Sequence, residues 1–383
     1  GEWYKFGVGQ NGIYKLDASF LEKLGLNIQN INSNNIKIYG HRGGMLPPLA
    51  GAERTDDIKE IPIKVIGQGK TLEIQAYLEG PESWYLDPST SAFRQNKNLY
   101  SDVKCYFITL GNSPGIRVAN ANEINENATK TIQIFDDYQH IEDDVENLLE
   151  SGRLWLGHEI GANNQLQYNF SFSNIVKSNP AKIAIGLAAK ATSSSNSFQI
   201  SSNGTFLKNL NISSVGSSYL ANAANYSETS FNLVNPDSDI PILINYTRPD
   251  YNAKAWADYI TINVQRNLSY NQEPLYFRSI SSVENEAISQ FQISNWNNSV
   301  TVWDVTDLFN IQEIKVSGGN FKSATSSLKQ FVAFQSPSLT PMVYGKIENQ
   351  NLHALSQADY LIITRKSLES YAKEIGEFHL QEE

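Results

Sequence analysis

The sequence has a single cysteine, Cys105, no run of basic residues, and no stretch approaching the ~18 consecutive apolar residues of a membrane-spanning helix. One cysteine excludes an intrachain disulfide, so cysteine usage gives no compartment. A net charge of −10, a pI near 5.1 and the lack of Lys and Arg clusters exclude the counterion replacement on which nucleic-acid binding depends. The opening residues, GEWYKFGVGQ, lack the charged and apolar blocks of a signal peptide. Either export does not occur or the signal has been removed. Sequons at Asn203, Asn211 and Asn245 arise readily by chance in a chain rich in Asn, Ser and Thr.

What is present is a chain of 383 residues, 40% hydrophobic and 11% aromatic, which is enough to bury more than one core. From Trp3 to Leu110, short runs such as WYKFGV, GIYKLD, IKIYG and VKCYFITLG alternate with Gly, Pro and Asn turns. They read as strands of a β-rich domain over 1–110. One short helix is expected in ASFLEKLGL, where Phe20, Leu21 and Leu24 share a face and Gly25 suits a C-cap. Residues 111–135 are polar and turn-rich and read as a linker. A short acidic helix is expected next, in FDDYQHIEDDVENLLE, where carboxylates favour the positive end of the helix dipole. Strand-like runs then fill 136–353 with no helical pattern between them, which predicts a β-sandwich or jelly roll.

The last segment, 354–383, differs. Tyr360 to Ile363 is a continuous apolar run, as in a parallel strand covered on both faces. Leu368, Tyr371, Ala372, Ile375 and Phe378 follow at helical spacing. The pattern predicts the first strand–helix unit of an α/β domain, with the apolar tail packed on the sandwich or on another copy of the chain.

Few residues carry a chemical signal. Cys105 alternates with Val103 and Phe107 in a strand, so all three share one sheet face and the thiol is expected in the core. The histidines His41, His140, His158, His353 and His379 show no HxxxH or HExxH spacing and no paired cysteines, so no zinc site follows. YGHRGGMLP, Tyr39 to Pro47, has paired glycines, Gly43 and Gly44, but lacks the phosphate-loop spacing and reads as a tight turn. Asp136, Asp137, Glu142, Asp143 and Asp144 lack the spacing of a calcium loop. Asp304 and Asp307 read as turn and cap residues. Trp256, Trp296 and Trp303 lie in strand-like runs where core packing is expected rather than a sugar platform. No catalytic residue, cofactor site or metal site is assigned.

WYKFGV with GIYKLD, IKIYGHRGGMLP with DDIKEIPIKV, NLYSDVKCYFITLG, and ADYLIIT before FH occur in that order. Together they resemble the N-terminal region of the PorU sortases, gingipain-family cysteine peptidases of the type IX secretion system in Bacteroidetes. The resemblance implies that ADYLIIT opens a caspase-like peptidase domain whose catalytic His and Cys lie on later strands. Cys105 and the five histidines match none of those positions. It further implies an exported protein at the outer membrane and cell surface that works with a PorV-like β-barrel and secreted cargo proteins. The whole enzyme would cleave C-terminal sorting signals and attach cargo to the surface, and this chain would be its non-catalytic accessory region. A carbohydrate-binding sandwich and an adhesin segment are the competing readings.

Overall fold

The computed structural model describes residues 1–47, 49–150 and 154–382. It is mainly β, with strands arranged around three large hydrophobic cores. The first core lies under a five-stranded antiparallel sheet ordered Met342–Ile347, Trp3–Val8, Lys104–Leu110, Ile36–Gly40 and Lys59–Ile61. A three-stranded sheet, Gly12–Asp17, Glu73–Leu78 and Lys64–Ile66, adds Ile13, Leu16, Ile74 and Leu78 to that core. The expected helix spans Ala18–Leu24. Asp17 caps it by accepting from the Phe20 N–H, and Gly25 ends it at φ 108°, a conformation that costs a side-chain-bearing residue a steric clash.

The sandwich pairs two four-stranded antiparallel sheets. One runs Ile134–Glu142, Lys254–Asn267, Ala181–Lys190, Asn225–Leu233, and the other Gln165–Ser171, Asp239–Thr247, Asn196–Ser202, Thr205–Ile212. Alternation puts Ile183, Ile185, Ile260 and Ile262 of the first sheet against Phe198, Ile200, Ile242 and Ile244 of the second, all fully buried. In the third core Phe277, Phe291, Phe321 and Phe331 pack mutually, and Phe135 meets Phe277.

Several expectations change. The acidic helix is not formed: Ile134–Glu142 is a strand paired along its whole length with Lys254–Asn267. Its carboxylates resembled a helix start, but each alternate residue finds a partner across the sheet, a non-local contact that outweighs local propensity. The linker region contributes strands Ala119–Asn120 and Lys130–Ile132, and Ile132 and Phe135 enter the third core. Trp303, Leu308, Val332 and Phe334 pack into the first core, and Met342–Ile347 pairs with Trp3–Val8, so chain from both ends builds one unit.

The tail also differs. Its helix forms over Glu369–Glu382, but Tyr360 to Thr364 makes no strand. Leu361 is 75% exposed and Ile363 89%. Tyr360 instead lies against His379 of the same tail, with ring centroids 4.5 Å apart. The apolar face therefore stays uncovered within this chain rather than packing on the sandwich.

Candidate functional site

The residues with chemical potential converge where the hairpin Ser83–Asp87/Ala92–Asn96 lies against the sandwich. The Asn263 side chain accepts from the Phe93 N–H at 2.6 Å and donates to the Phe93 C=O at 3.0 Å. Lys182 Nζ donates to the Thr90 and Ser91 carbonyls, both at 2.8 Å. Within the hairpin, Arg94 bonds Asp87 at 3.0 Å. The hairpin is thus clamped by side chains that complete its own backbone hydrogen bonds.

Beside the clamp, rings form a continuous cluster. Trp84 lies on Tyr138 with centroids 3.8 Å apart, meets His140 edge-on, and His140 stacks on Tyr259. His140 Nδ1 is 2.8 Å from Thr261 Oγ1 and Nε2 is 2.9 Å from Glu142 Oε2. Hydroxyl, imidazole and carboxylate in this order have the connectivity of a nucleophile, base and orienting acid. Thr261, however, is 2% exposed in the middle of a strand paired on both sides, so no substrate can reach its oxygen. The trio acts as a satisfied buried polar network.

Lys97 extends the network, bridging Glu142 at 3.2 Å and Asp144 at 2.8 Å. Burial opposes the Glu142 charge, but hydrogen bonds from His140 and Lys97 outweigh it and hold the carboxyl below its usual range. Asp258 is the reverse case. Burial pushes its pKa up to about 6, against a hydrogen bond from the Tyr226 hydroxyl at 2.7 Å.

Two concavities flank this junction. An open groove of about 350 Å3 is edged by Tyr100, Asp102, Asp144, Trp155 and Asp258, with Tyr100 and Trp155 exposed. A cavity of about 310 Å3 between the hairpin and the other units is lined by Glu82, Trp84, Gln95, Tyr138, Tyr276 and Arg278, among others. A larger depression on the sandwich, about 700 Å3, holds Lys177 and Asp237 paired with each other at 2.6 Å and gathers no convergent groups.

The other candidates have structural roles. Cys105 does share a sheet face with Val103 and Phe107, but that face is only half-buried, and Tyr106 and Ile108 point to the core instead. The expected placement of the thiol was one residue out of phase. In the Tyr39–Pro47 turn, the Gly43 N–H donates to Glu79 at 2.5 Å, so this glycine N–H is taken up by a carboxylate of the same chain. A Cβ on Gly43 would meet the Gly80 carbonyl oxygen at 2.8 Å. Next to it Arg42 bonds Asp307 at 2.7 Å, and His41, half-buried beside Lys104 Nζ at 3.4 Å, has its pKa lowered by burial and by that ammonium. Asp136 accepts from the Ile280 N–H at 2.6 Å, Asp137 from Arg266 at 2.5 Å, and Asp304 from Lys329 at 3.3 Å. Asp143, His158, His353 and His379 are exposed. Trp256 and Trp303 are buried, with indole N–H groups on Glu146 at 2.9 Å and Glu313 at 3.4 Å, and Trp296 packs at the edge of the third core. Among the described residues, no group of three or more His, Cys, Asp or Glu is arranged to hold a metal ion. None of the described helices is long and apolar enough to cross a membrane.

Sequence reasoning missed Trp84, Glu82, Gln95 and Arg278. Each is unremarkable in its own run, and they meet only because the hairpin folds back over a strand 40 or more residues on.

No family model matches the chain, and no curated protein does. Among solved structures, dimeric latent PorU from Porphyromonas gingivalis superposes with a TM-score of 0.77 at 23% identity, over 93% of this chain and 34% of that one. The carbohydrate-binding module CBM36, solved with calcium and xylotriose, gives a TM-score of 0.21 at 15% identity over 32% of this chain and 98% of that one. The larvicidal toxin Cry4Aa from Bacillus thuringiensis gives 0.21 at 14% identity over 68% and 42%. Scores near 0.2 indicate no shared fold. This chain therefore has the fold of the PorU N-terminal region and spans about a third of the length of that protein.

Proposed function

We propose that the chain is the non-catalytic accessory region of a type IX secretion sortase. Its β units would hold the peptidase in a fixed orientation at the cell surface and contact an outer-membrane β-barrel of the PorV kind. The observation that carries this reading is the superposition on latent PorU over nearly the whole chain. The clamped hairpin supports it physically, because side chains of the sandwich, Asn263 and Lys182, bond backbone groups of the hairpin and oppose its motion relative to the sandwich. The test is capture from solubilised outer membranes by the immobilised full chain. A PorV-like barrel retained and identified by mass spectrometry is expected. Its absence, when the complete sortase retains it, moves the contact to another part of the enzyme.

A second reading rests on one feature. The open groove presents exposed Tyr100 and Trp155 beside Asp102 and Asp144, a stacking surface next to hydrogen-bond acceptors as a saccharide requires. Binding on a glycan array that disappears with Trp155→Ala would favour it.

A further inference from the structure

We propose that the cavity at the hairpin junction is a binding site for a small carboxylate, with Arg278 as its anchoring group. Arg278 is 4% exposed and lines this cavity of about 310 Å3. Among the described residues no carboxylate lies within ion-pair distance of it. Nε has no hydrogen-bond acceptor, and Nη1 reaches only the Asp136 carbonyl, at 3.5 Å. The ring faces of Tyr138 and Phe93 lie 4.6 and 5.5 Å from the guanidinium carbon. Such cation–π contacts stabilise a desolvated cation, but by less than it costs to bury an ion without a counter-charge. The rings leave most of that cost unmet. A carboxylate in the cavity would offset it through paired N–H donors in the planar geometry that guanidinium favours.

The remaining wall sets the charge of the ligand. Asp137 is neutralised by Arg266 at 2.5 Å, and His140 is held between Thr261 and Glu142. Glu82 stays on the wall, accepting from the Gln95 amide, while the Gln95 carbonyl oxygen is buried with no donor. One free cation facing one carboxylate admits a singly charged anion more readily than a dianionic phosphate. Tyr276 accepts from the Ile13 N–H at 3.0 Å and keeps its hydroxyl hydrogen for a second acceptor.

The indole 15N–1H signal of Trp84 reports the site directly. The full chain is titrated with sodium acetate and separately with inorganic phosphate, each at ionic strength matched with sodium chloride. A saturable shift of the Trp84 signal in the millimolar range is expected with acetate, at least threefold weaker with phosphate. Arg278→Met should weaken acetate binding tenfold or more. Glu82→Gln, which leaves the arginine and the fold in place, should tighten it threefold or more and decides the matter if the arginine variant fails to fold. No saturable acetate shift in the unaltered chain overturns the proposal. So does a preference for phosphate, or affinity that does not change in Glu82→Gln.

Discussion

Replacing Asn263 by alanine opens the hairpin clamp without touching any core. The substitution removes two hydrogen bonds to the backbone of Phe93, which is 5% exposed: one of 2.6 Å from its N–H and one of 3.0 Å to its C=O. Each backbone group left without a partner costs about 1–3 kcal/mol, and partial access of water at the joint brings the expected total to about 2–4 kcal/mol. The hairpin keeps its internal pairing with Ser83–Asp87, and Phe93 keeps its ring contact with Tyr138 at 5.1 Å, so the loss is local. Amide hydrogen exchange resolves it: at about 1.4 kcal/mol per tenfold, Phe93 should exchange at least ~30-fold faster in Asn263→Ala. Amides of the third core, around Phe277 and Phe291, should be unaffected. Exchange at Phe93 within threefold of the unaltered chain would refute the reasoning that side chains of the sandwich hold this hairpin.

Two further outcomes follow from the same structure. Asp258 has its pKa raised by burial to about 6, so the native state holds this proton more tightly than the unfolded chain. The carboxylate therefore costs stability increasingly as pH rises from about 4 to 6 and by a constant amount above that. Asp258→Asn, which keeps an acceptor for Tyr226, should be more stable by about 1 kcal/mol at pH 8 after allowance for solvent screening, with the gain vanishing below pH 4. Urea titrations at pH 4, 6 and 8 measure it, and a gain of equal size at all three would contradict the assignment. For the tail, a chain ending at Leu355 should melt within about 1 °C of the full chain, because the removed residues Leu361, Ile363 and Phe378 are exposed and cover no core. A drop of several degrees by calorimetry would mean that the tail packs in solution.

The strand content was legible in the sequence because short apolar runs such as WYKFGV, GIYKLD and AKIAIGLAAK are set off by turn residues, a local signal. Asp17 and Gly25 similarly marked the ends of the short helix, since both act through local backbone groups. What could not be read is what depends on partners far along the chain. Asp137 has the local pattern of a helix-start acid, but its partner Arg266 lies across the sheet, and Cys105 has the pattern of a core residue, but Tyr106 takes the inward face. The pairing of Met342–Ile347 with Trp3–Val8 joins segments more than 330 residues apart, and no local pattern encodes it. The cavity with Arg278 is the extreme case. A lone arginine after LYF carries no signal until the hairpin from Ser83–Asn96 closes over it.

The proposal that this chain positions a sortase is tested most directly by the processing of a secreted reporter carrying a C-terminal sorting signal. The measurement is made in cells in which the gene encoding this sequence lacks the codons for residues 1–355. Mass spectrometry of the reporter should show the signal retained and surface attachment lost, while the shortened protein is still made. Cleavage and attachment at the unaltered level in those cells would contradict the account.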